Sequence, residues 1–276
     1  MAVAAHATAP AAVRTLLRHR GLLFSLVSRE LKARYRGSAL GFVWSLLNPL
    51  LLVGVFSLVF GKFLGPRAGG DMVRPYALFL VTGLFPWVWS SAALLEGTVS
   101  LSANAGLIRK AVFPIAVLPI VVVLSHLVHF LLALPIVLGA LASGSFWGHS
   151  LLDPHALLLP VVIALQLVLL SGLTLGLSVL HVHFKDVRDL LANLLQLMFF
   201  LAPILYPLQL VEWRWARALV LANPFTPFTL AYQDLLFFGV LPGPRVWLAM
   251  IAVAGMSWAA GVWIHRRLEG SVSEAV

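Results

Sequence analysis

Along this chain, long uncharged apolar runs alternate with short segments that hold almost all of its charge. A hydrocarbon core about 30 Å thick is crossed by roughly 20 helical residues. Six windows meet that length, at about 39–62, 75–95, 114–142, 157–183, 190–207 and 245–264. The third and fourth are long enough to tilt or to project beyond the lipid. The fifth, LLANLLQLMFFLAPILYP, is short and ends at Pro203 and Pro207. Residues 208–244 are too apolar for a plain loop, yet Pro224 and Pro227 divide them. Thr226 is placed to cap a helix with Pro227 at its first position, and Gly239 to close it. A helix of about twelve residues is too short to span. The segment therefore reads as a re-entrant hairpin dipping into the outer leaflet, with Trp213 and Trp215 at the headgroups; the alternative is a helix lying at the interface. Irregular backbone at such depth needs protein or a wet cavity around it.

The polar stretches carry as much information. Residues 20–36 repeat apolar side chains on one helical face (Leu22, Leu23, Leu26, Val27 and Leu31) and Arg29, Lys32 and Arg36 on another. Glu30 and Arg34 stand four apart, a spacing that supports a helix. Such a helix lies flat in the inner leaflet with its bases toward anionic headgroups or a partner. Gly37 and Gly41 flank the turn into the bilayer, and Asn48-Pro49 interrupts the first span, where a kink is expected.

Composition sharpens the picture. Hydrophobic residues make up 61% of the 276 and charged residues 11%. A soluble fold of that makeup would expose far too much apolar surface. The formal net charge of +9 does not indicate nucleic acid, because the bases sit at the ends of apolar runs instead of forming a stripe on a polar domain. The chain has no cysteine, which excludes disulfides and thiolate metal sites. The expected organisation is all-α: a loose tail at 1–19, one transmembrane domain at 20–265, and a second tail at 266–276.

Orientation follows from Lys and Arg. With both termini in the cytoplasm, that side holds thirteen: Arg14, Arg18, Arg20, Arg29, Lys32, Arg34, Arg36, Arg109, Lys110, Lys185, Arg188, Arg266 and Arg267. The other side holds six: Lys62, Arg67, Arg74, Arg214, Arg217 and Arg245. An even number of spans agrees with that bias.

RELKARYRGSALGFVWSLLNPLL, from Arg29 onward, resembles the entry to the first span in permease subunits of type-2 ABC exporters, above all the bacterial export permeases for O-antigen, teichoic acid and capsular polysaccharide. The resemblance rests on an acid-plus-bases helix, Tyr35-Arg36, Leu40-Gly41, Phe42 and Trp44, then Leu47-Asn48-Pro49. SANAGLIRKAVFPIAVLP (102–119) resembles the connection between spans two and three. FKDVRDLLANLLQLMFFLAPILYP (184–207) resembles the approach to span five and that span itself, and NPFTPF (223–228) the segment before the last external helix. The matches run in order over about 20–265.

No G-x-x-x-x-G-K-[ST] phosphate loop occurs; the one Gly-Lys pair, Gly61-Lys62, follows a span and not a strand. The resemblance therefore implies a permease without ATPase activity of its own. It implies two copies of the chain and a separate pair of ABC ATPase subunits carrying ATP and Mg2+, with no cofactor in this chain. It implies export of a lipid-linked polysaccharide across the plasma (inner) membrane. The ATPase would dock on 97–113, through Asn104, Gly106, Arg109 and Lys110, and on 22–36, with Lys185, Asp186, Arg188 and Asp189 contributing or simply pairing locally. Arg29, Lys32, Arg34 and Arg36 stand where a lipid diphosphate would arrive, and guanidinium groups bind such oxygens in bidentate fashion; bulk anionic lipid is the alternative partner.

Aromatics gather on spans one, two and five: Phe42, Trp44, Phe85, Trp87, Trp89, Phe199, Phe200 and Tyr206. Rings stack on the C–H faces of sugars without demanding one hydroxyl pattern, though rings near span ends also serve as interface anchors. Of these, Phe42, Trp44, Trp87, Phe199, Phe200 and Tyr206 are the channel candidates. Glu96 is the one acid near a span end and is expected at the inner headgroups. His126 and His129 stand three apart; no carboxylate or third ligand is expected to accompany them, and they are expected to be hydrogen-bonded interior residues and not metal ligands. A six-span intramembrane protease would need G-x-S-G; Gly176-Leu177-Ser178-Val179 fails it, and His265 lies at a span exit. A drug or small-lipid exporter is the alternative within the exporter class.

Overall fold

The computed structural model describes residues 20–34, 43–56, 58–59, 73, 76–110, 114–143 and 154–275. Arg36 and Phe42 lie outside the described residues, as does the remainder of the first window beyond 59. Among the described residues all regular structure is helical. Four helices are long and apolar enough to cross a membrane: Tyr76–Ala103, Val117–Ala142, Pro154–His183 and Pro244–Val272.

In chain order the helices are α1 (Arg20–Arg34), α2 (Val43–Phe56), α3 (Tyr76–Ala103), the short α4 (Ala105–Lys110), α5 (Val117–Ser143) and α6 (Leu159–His183). They continue with α7 (Val187–Leu201), α8 (Arg214–Ala222), α9 (Thr226–Gln233) and α10 (Pro244–Ala275). The helical backbone of α2 runs through Asn48 and Pro49 without interruption. α10 continues to Ala275, and its 32 residues span about 48 Å at the usual rise, well beyond a bilayer core.

The core forms where α3 packs on α5 and α6, and α6 on α10. α3 is the most enclosed span; Phe79, Leu80, Leu84, Ala93, Leu94 and Leu101 are fully sequestered. The α6–α10 seam is the most extensive contact in the fold, and small residues make it possible. A Cβ on Gly261 would land on the Gly172 carbonyl, and one on Gly172 would come within 2.5 Å of the Ser257 carbonyl. Lipid gives no hydrophobic drive for helices to associate, so close backbone approach supplies the packing. Ser257 adds a hydroxyl bond to the Leu169 carbonyl at 2.9 Å.

At one end of the bundle, Leu101, Leu118, Val179 and Val272 close a small core over which Leu107, Ile108 and Leu268 pack. Arg109, Lys185, Arg188, Arg266 and Arg267 share this basic end. α1 docks beside it, setting Leu26 against Val117 and Val121 with Leu23 and Val27 alongside. Leu23, Leu26 and Val27 of the apolar face read from the sequence thus form the docking face.

At the opposite end, α8, α9 and a widened turn, Asp234–Phe238, follow Pro207. Helix and turn together run from Thr226 to Phe238, close to the expected length, and Gly239 ends them in the left-handed region at φ 64°. The start differs from expectation. Phe225 is the N-cap, without a side-chain cap bond. Thr226 is already helical, and its hydroxyl bonds back to the Val220 carbonyl at 2.5 Å. Asn223 takes over the capping chemistry, its Oδ1 accepting the Phe225 N–H at 3.0 Å. A short amide side chain two residues upstream reaches that N–H in an Asx turn.

Candidate functional site

Two polar arrangements and one aromatic cluster interrupt the apolar bundle. The first polar arrangement is closed. Gln166 on α6, 1% exposed, donates to the Pro86 carbonyl at 3.1 Å and to Ser90 Oγ at 2.7 Å. Its Oε1 accepts the Tyr232 hydroxyl at 2.7 Å. Ser90 in turn donates to the Pro86 carbonyl at 2.9 Å. Pro86 has no N–H to give the carbonyl one turn earlier, and just beyond it the Gln166 amide bridges α3 to α9. Gln233 completes the attachment, donating to the Pro203 carbonyl at 2.7 Å. Every polar atom of the Gln166 side chain is used, as burial at this depth requires.

The second arrangement is open. His126 on α5, 6% exposed, places Nε2 3.0 Å from Glu96 Oε2 on α3, whose side chain is 47% exposed. His129 donates Nδ1–H to the Ser125 carbonyl at 2.7 Å. The histidines are hydrogen-bonded interior residues, as expected. A carboxylate does accompany them, which the sequence reading had excluded; thirty positions separate Glu96 from His126, and only the packing of α3 on α5 unites them. Among the described residues no group of three acids or histidines could hold a metal ion.

The aromatic cluster joins three helices. Phe199 stacks on Phe56 of α2 at 6.0 Å between ring centres and meets Trp87 of α3 at 5.8 Å. Trp87 sets its edge against Phe225 at 5.2 Å, and Phe199 against Phe200 at 5.2 Å. Trp87, Phe199 and Phe200 are therefore brought together, with Phe56 and Phe225 as members that the sequence reading did not select. Only Phe200 is widely exposed. Tyr206 stands apart and donates its hydroxyl to the Phe200 and Leu201 carbonyls, both at 3.1 Å, closing the end of α7. Trp44 lies on α2. Phe85 and Trp89 pack inward on Phe130.

The exposed surface of α7 divides along its length. Asp189, Asn193, Gln196 and Phe200 form one row and Leu190, Leu194, Leu197 and Leu201 the next. Rows at that spacing are neighbouring edges of one helix, so α7 offers a polar edge beside an apolar one. The row is legible in the sequence at spacings of four, three and four and was not singled out.

At the basic end, Asn104 forms the elbow between α3 and α4. Its amide donates to the Ser100 carbonyl at 2.9 Å, and its own carbonyl accepts the N–H groups of Leu107 and Ile108. Leu107 and Ile108 fasten α4 down, leaving Gly106 and Arg109 outward. A Cβ on Gly106 would meet nothing within 4 Å, so this surface has room for another chain. Lys110 ends the same helix. Arg29 and Lys32 are exposed on α1, and Arg34 closes it. Arg188 pairs with Asp189 at 3.5 Å in the first turn of α7, so part of that cluster is local pairing. Ser178 turns its hydroxyl to the Leu175 carbonyl at 3.1 Å, while His265 faces Glu269 at 3.7 Å.

Spanning helices, a docked basic helix and a fastened polar elbow define a multi-pass, all-helical membrane protein. The chain belongs to the ABC-2 type transporter family, whose profile matches residues 21–237. It is 38% identical over 259 residues to the O-antigen export system permease protein RfbA of Myxococcus xanthus, covering 93% of this chain and 96% of that one. It is 29% identical to the protein of the same name from Klebsiella pneumoniae, over 80% of this chain and 82% of that one. The polysialic acid transport protein KpsM of Escherichia coli is 25% identical over 67% of this chain and 69% of its own.

Proposed function

We propose that this chain is the membrane permease of an ATP-driven exporter that carries a lipid-linked polysaccharide of the O-antigen or capsular class across the plasma membrane. The observation that carries the reading is the end-to-end similarity to a permease named for O-antigen export, over 93% of this chain and 96% of that one. Two copies form the path, and two separate ATPase subunits, with ATP and Mg2+, drive it. The basic end faces the cytoplasm, in keeping with the positive-inside rule. Arg29, Lys32, Arg34 and Arg36 meet the diphosphate of the carrier lipid there, and the α3–α4 elbow with Asn104, Gly106, Arg109 and Lys110 takes up motion from the ATPase. In this arrangement α2 and α7 complete six crossings, and the segment from Pro207 to Gly239 enters the outer leaflet as a hairpin.

The test is co-purification with an ABC ATPase subunit, followed by ATPase measurements in proteoliposomes. Stimulation by lipid-linked polysaccharide, but not by amphiphilic drugs or simple phospholipids, is the expected outcome. Stimulation by drugs alone replaces the polysaccharide with a small apolar cargo.

A further inference from the structure

A groove of about 420 Å3 opens where the α6–α10 seam meets the turn between α8 and α9. Leu169 and Leu173 of α6, Val253 and Met256 of α10, and Leu221 and Pro224 beside the end of α8 line it. On α10 the lining reaches from Ala249 to Ala260, about 16 Å along the axis. One leaflet's share of a hydrocarbon core is about 15 Å. The groove is thus as long as one leaflet is thick. Its two polar side chains are engaged by the fold. Asn223 donates to the Met198 carbonyl at 2.8 Å and accepts the Phe225 N–H at 3.0 Å. The Ser257 hydroxyl donates to the Leu169 carbonyl at 2.9 Å.

Both walls lead to cations. Arg214 and Arg217 stand seven and four positions before Leu221 on α8, and Arg245 stands four before Ala249 on α10. Spacings of four and seven keep residues on one helical face. All three arginines are exposed, and Arg245 is the second residue of its helix. Each wall is therefore headed by positive charge at the end opposite α4. Below that level the neighbouring surface of α10 is apolar, with Leu248, Ile251 and Met256 exposed.

Length, lining and charge together select the occupant. Water and sugars need polar partners, which this lining does not supply. A helix from a second copy is about 10–12 Å across, so a groove of this volume takes in barely one turn of it. A single hydrocarbon chain matches both the length and the lining. Guanidinium groups at its head bind phosphate oxygens in bidentate fashion.

We propose that this groove is a binding site for one anionic phospholipid of the membrane. One acyl chain lies along α10 between Ala249 and Ala260, and Arg217 and Arg245, with Arg214 beside them, hold the phosphate. The bound chain joins α8 to the α6–α10 pair. The inference goes beyond the export reading and is independent of the cargo.

Native mass spectrometry of the permease–ATPase complex reads the site directly. The complex is released from nanodiscs holding equal amounts of phosphatidylglycerol and phosphatidylcholine with the same acyl chains. One phosphatidylglycerol should stay on each permease chain, with a preference of roughly twentyfold over phosphatidylcholine, and Arg217→Gln or Arg245→Gln should each lower that preference roughly fivefold, as expected for one basic residue at an anionic surface. Ala260→Phe fills the deep end of the groove and should abolish retention. Leu248→Phe, on the exposed surface outside it, should not. In the unsubstituted chain, a phosphatidylglycerol with a diazirine near the end of its tail should label residues 256–260 and 169–173 well above residues 131–136 of α5. Equal labelling of these segments, retention without preference, or parental retention by Ala260→Phe overturns the proposal. A disulfide between copies in Met256→Cys overturns it in favour of a second copy. Displacement of the retained lipid by an equal amount of an isoprenoid diphosphate overturns it in favour of the anchor of the cargo. ATPase stimulation by polysaccharide enters none of these measurements, so failure of the export reading and failure of this site give different results.

Discussion

Gln166 and Glu96 are both polar side chains set into apolar helices, and they solve the same problem in opposite ways. Gln166 is enclosed, and every donor and acceptor it has is used within the fold. Glu96 shares one oxygen with His126 and keeps about half of its side chain accessible. A closed network holds helices together from within; a half-accessible carboxylate joins two helices at the surface of the described bundle. The polar contacts that tie α6 to α9 and α10 are thus enclosed, and the Glu96–His126 contact between α3 and α5 is partly exposed.

The largest effect should come from the fixed side. Gly261→Val drives a side chain into the Gly172 carbonyl and should cost about 3 kcal/mol or more. Thermal unfolding in detergent, followed by size-exclusion chromatography, reads this directly. A variant as stable as the parent would show that the α6–α10 seam can spread, and the contrast would lose its rigid half.

Gln166→Leu should cost about 2 kcal/mol, because it strands the buried Tyr232 hydroxyl as well as deleting interhelical bonds. Adding Tyr232→Phe should recover part of the loss, and a double-mutant cycle measures how much. Glu96→Gln should change stability by less than about 1 kcal/mol, as expected where the carboxylate is half exposed and an amide can still meet His126. The two amide-level changes would then rank in the order that enclosure dictates, and reversal of that order breaks the comparison.

Gly106→Trp probes the open surface at the basic end. It should leave the melting temperature within a degree or so of the parent, in keeping with a substitution into open space, while reducing ATPase stimulation by cargo. Stimulation equal to the parent would remove α4 from the coupling surface.

The smallest effect concerns Asp234 at the start of the widened turn after α9, whose carboxyl burial pushes up to about 6. Its ordinary value is lower, so between the two the folded chain binds more protons than the unfolded one. The contribution is present below the unfolded value and is lost as pH rises through about 6. Asp234→Asn should therefore gain stability relative to the parent at neutral pH and lose that advantage near pH 4. The carboxyl is partly exposed, so screening keeps the difference small.

Much of this could be read from the sequence because bilayer length and positional chemistry leave few choices. Four of the six long apolar windows gave spanning helices, Leu23 and Leu26 gave the docking face of α1, and Gly239 the end of the helix and turn that begin at Thr226. The cap at Thr226 was misjudged because the helix begins one residue earlier, at Phe225, whose N–H Asn223 holds, and the Thr226 hydroxyl turns back to the Val220 carbonyl. The Glu96–His126 pair and the Gln166 network were hidden for a different reason. Their partners lie 30 to 80 positions apart, and helical periodicity states which residues share a face, not which faces meet. Gly172 and Gly176 are visible as a small-residue spacing, but Gly261 identifies the helix they receive. The aromatic cluster was legible by helix and not by member, since Phe56 and Phe225 gain their roles only where α2, α3, α7 and the start of α9 meet.

The glycine seam has a mechanical consequence. With backbone touching backbone at Gly172 and Gly261, α6 and α10 cannot slide past each other, so they behave as one stiff double rod. The far end of that rod, at Leu268 and Val272, rests on the same apolar pad as Leu107 and Ile108 of α4. The pad also takes in Leu101 of α3, so the elbow, the paired helices and the most enclosed span share one apolar joint.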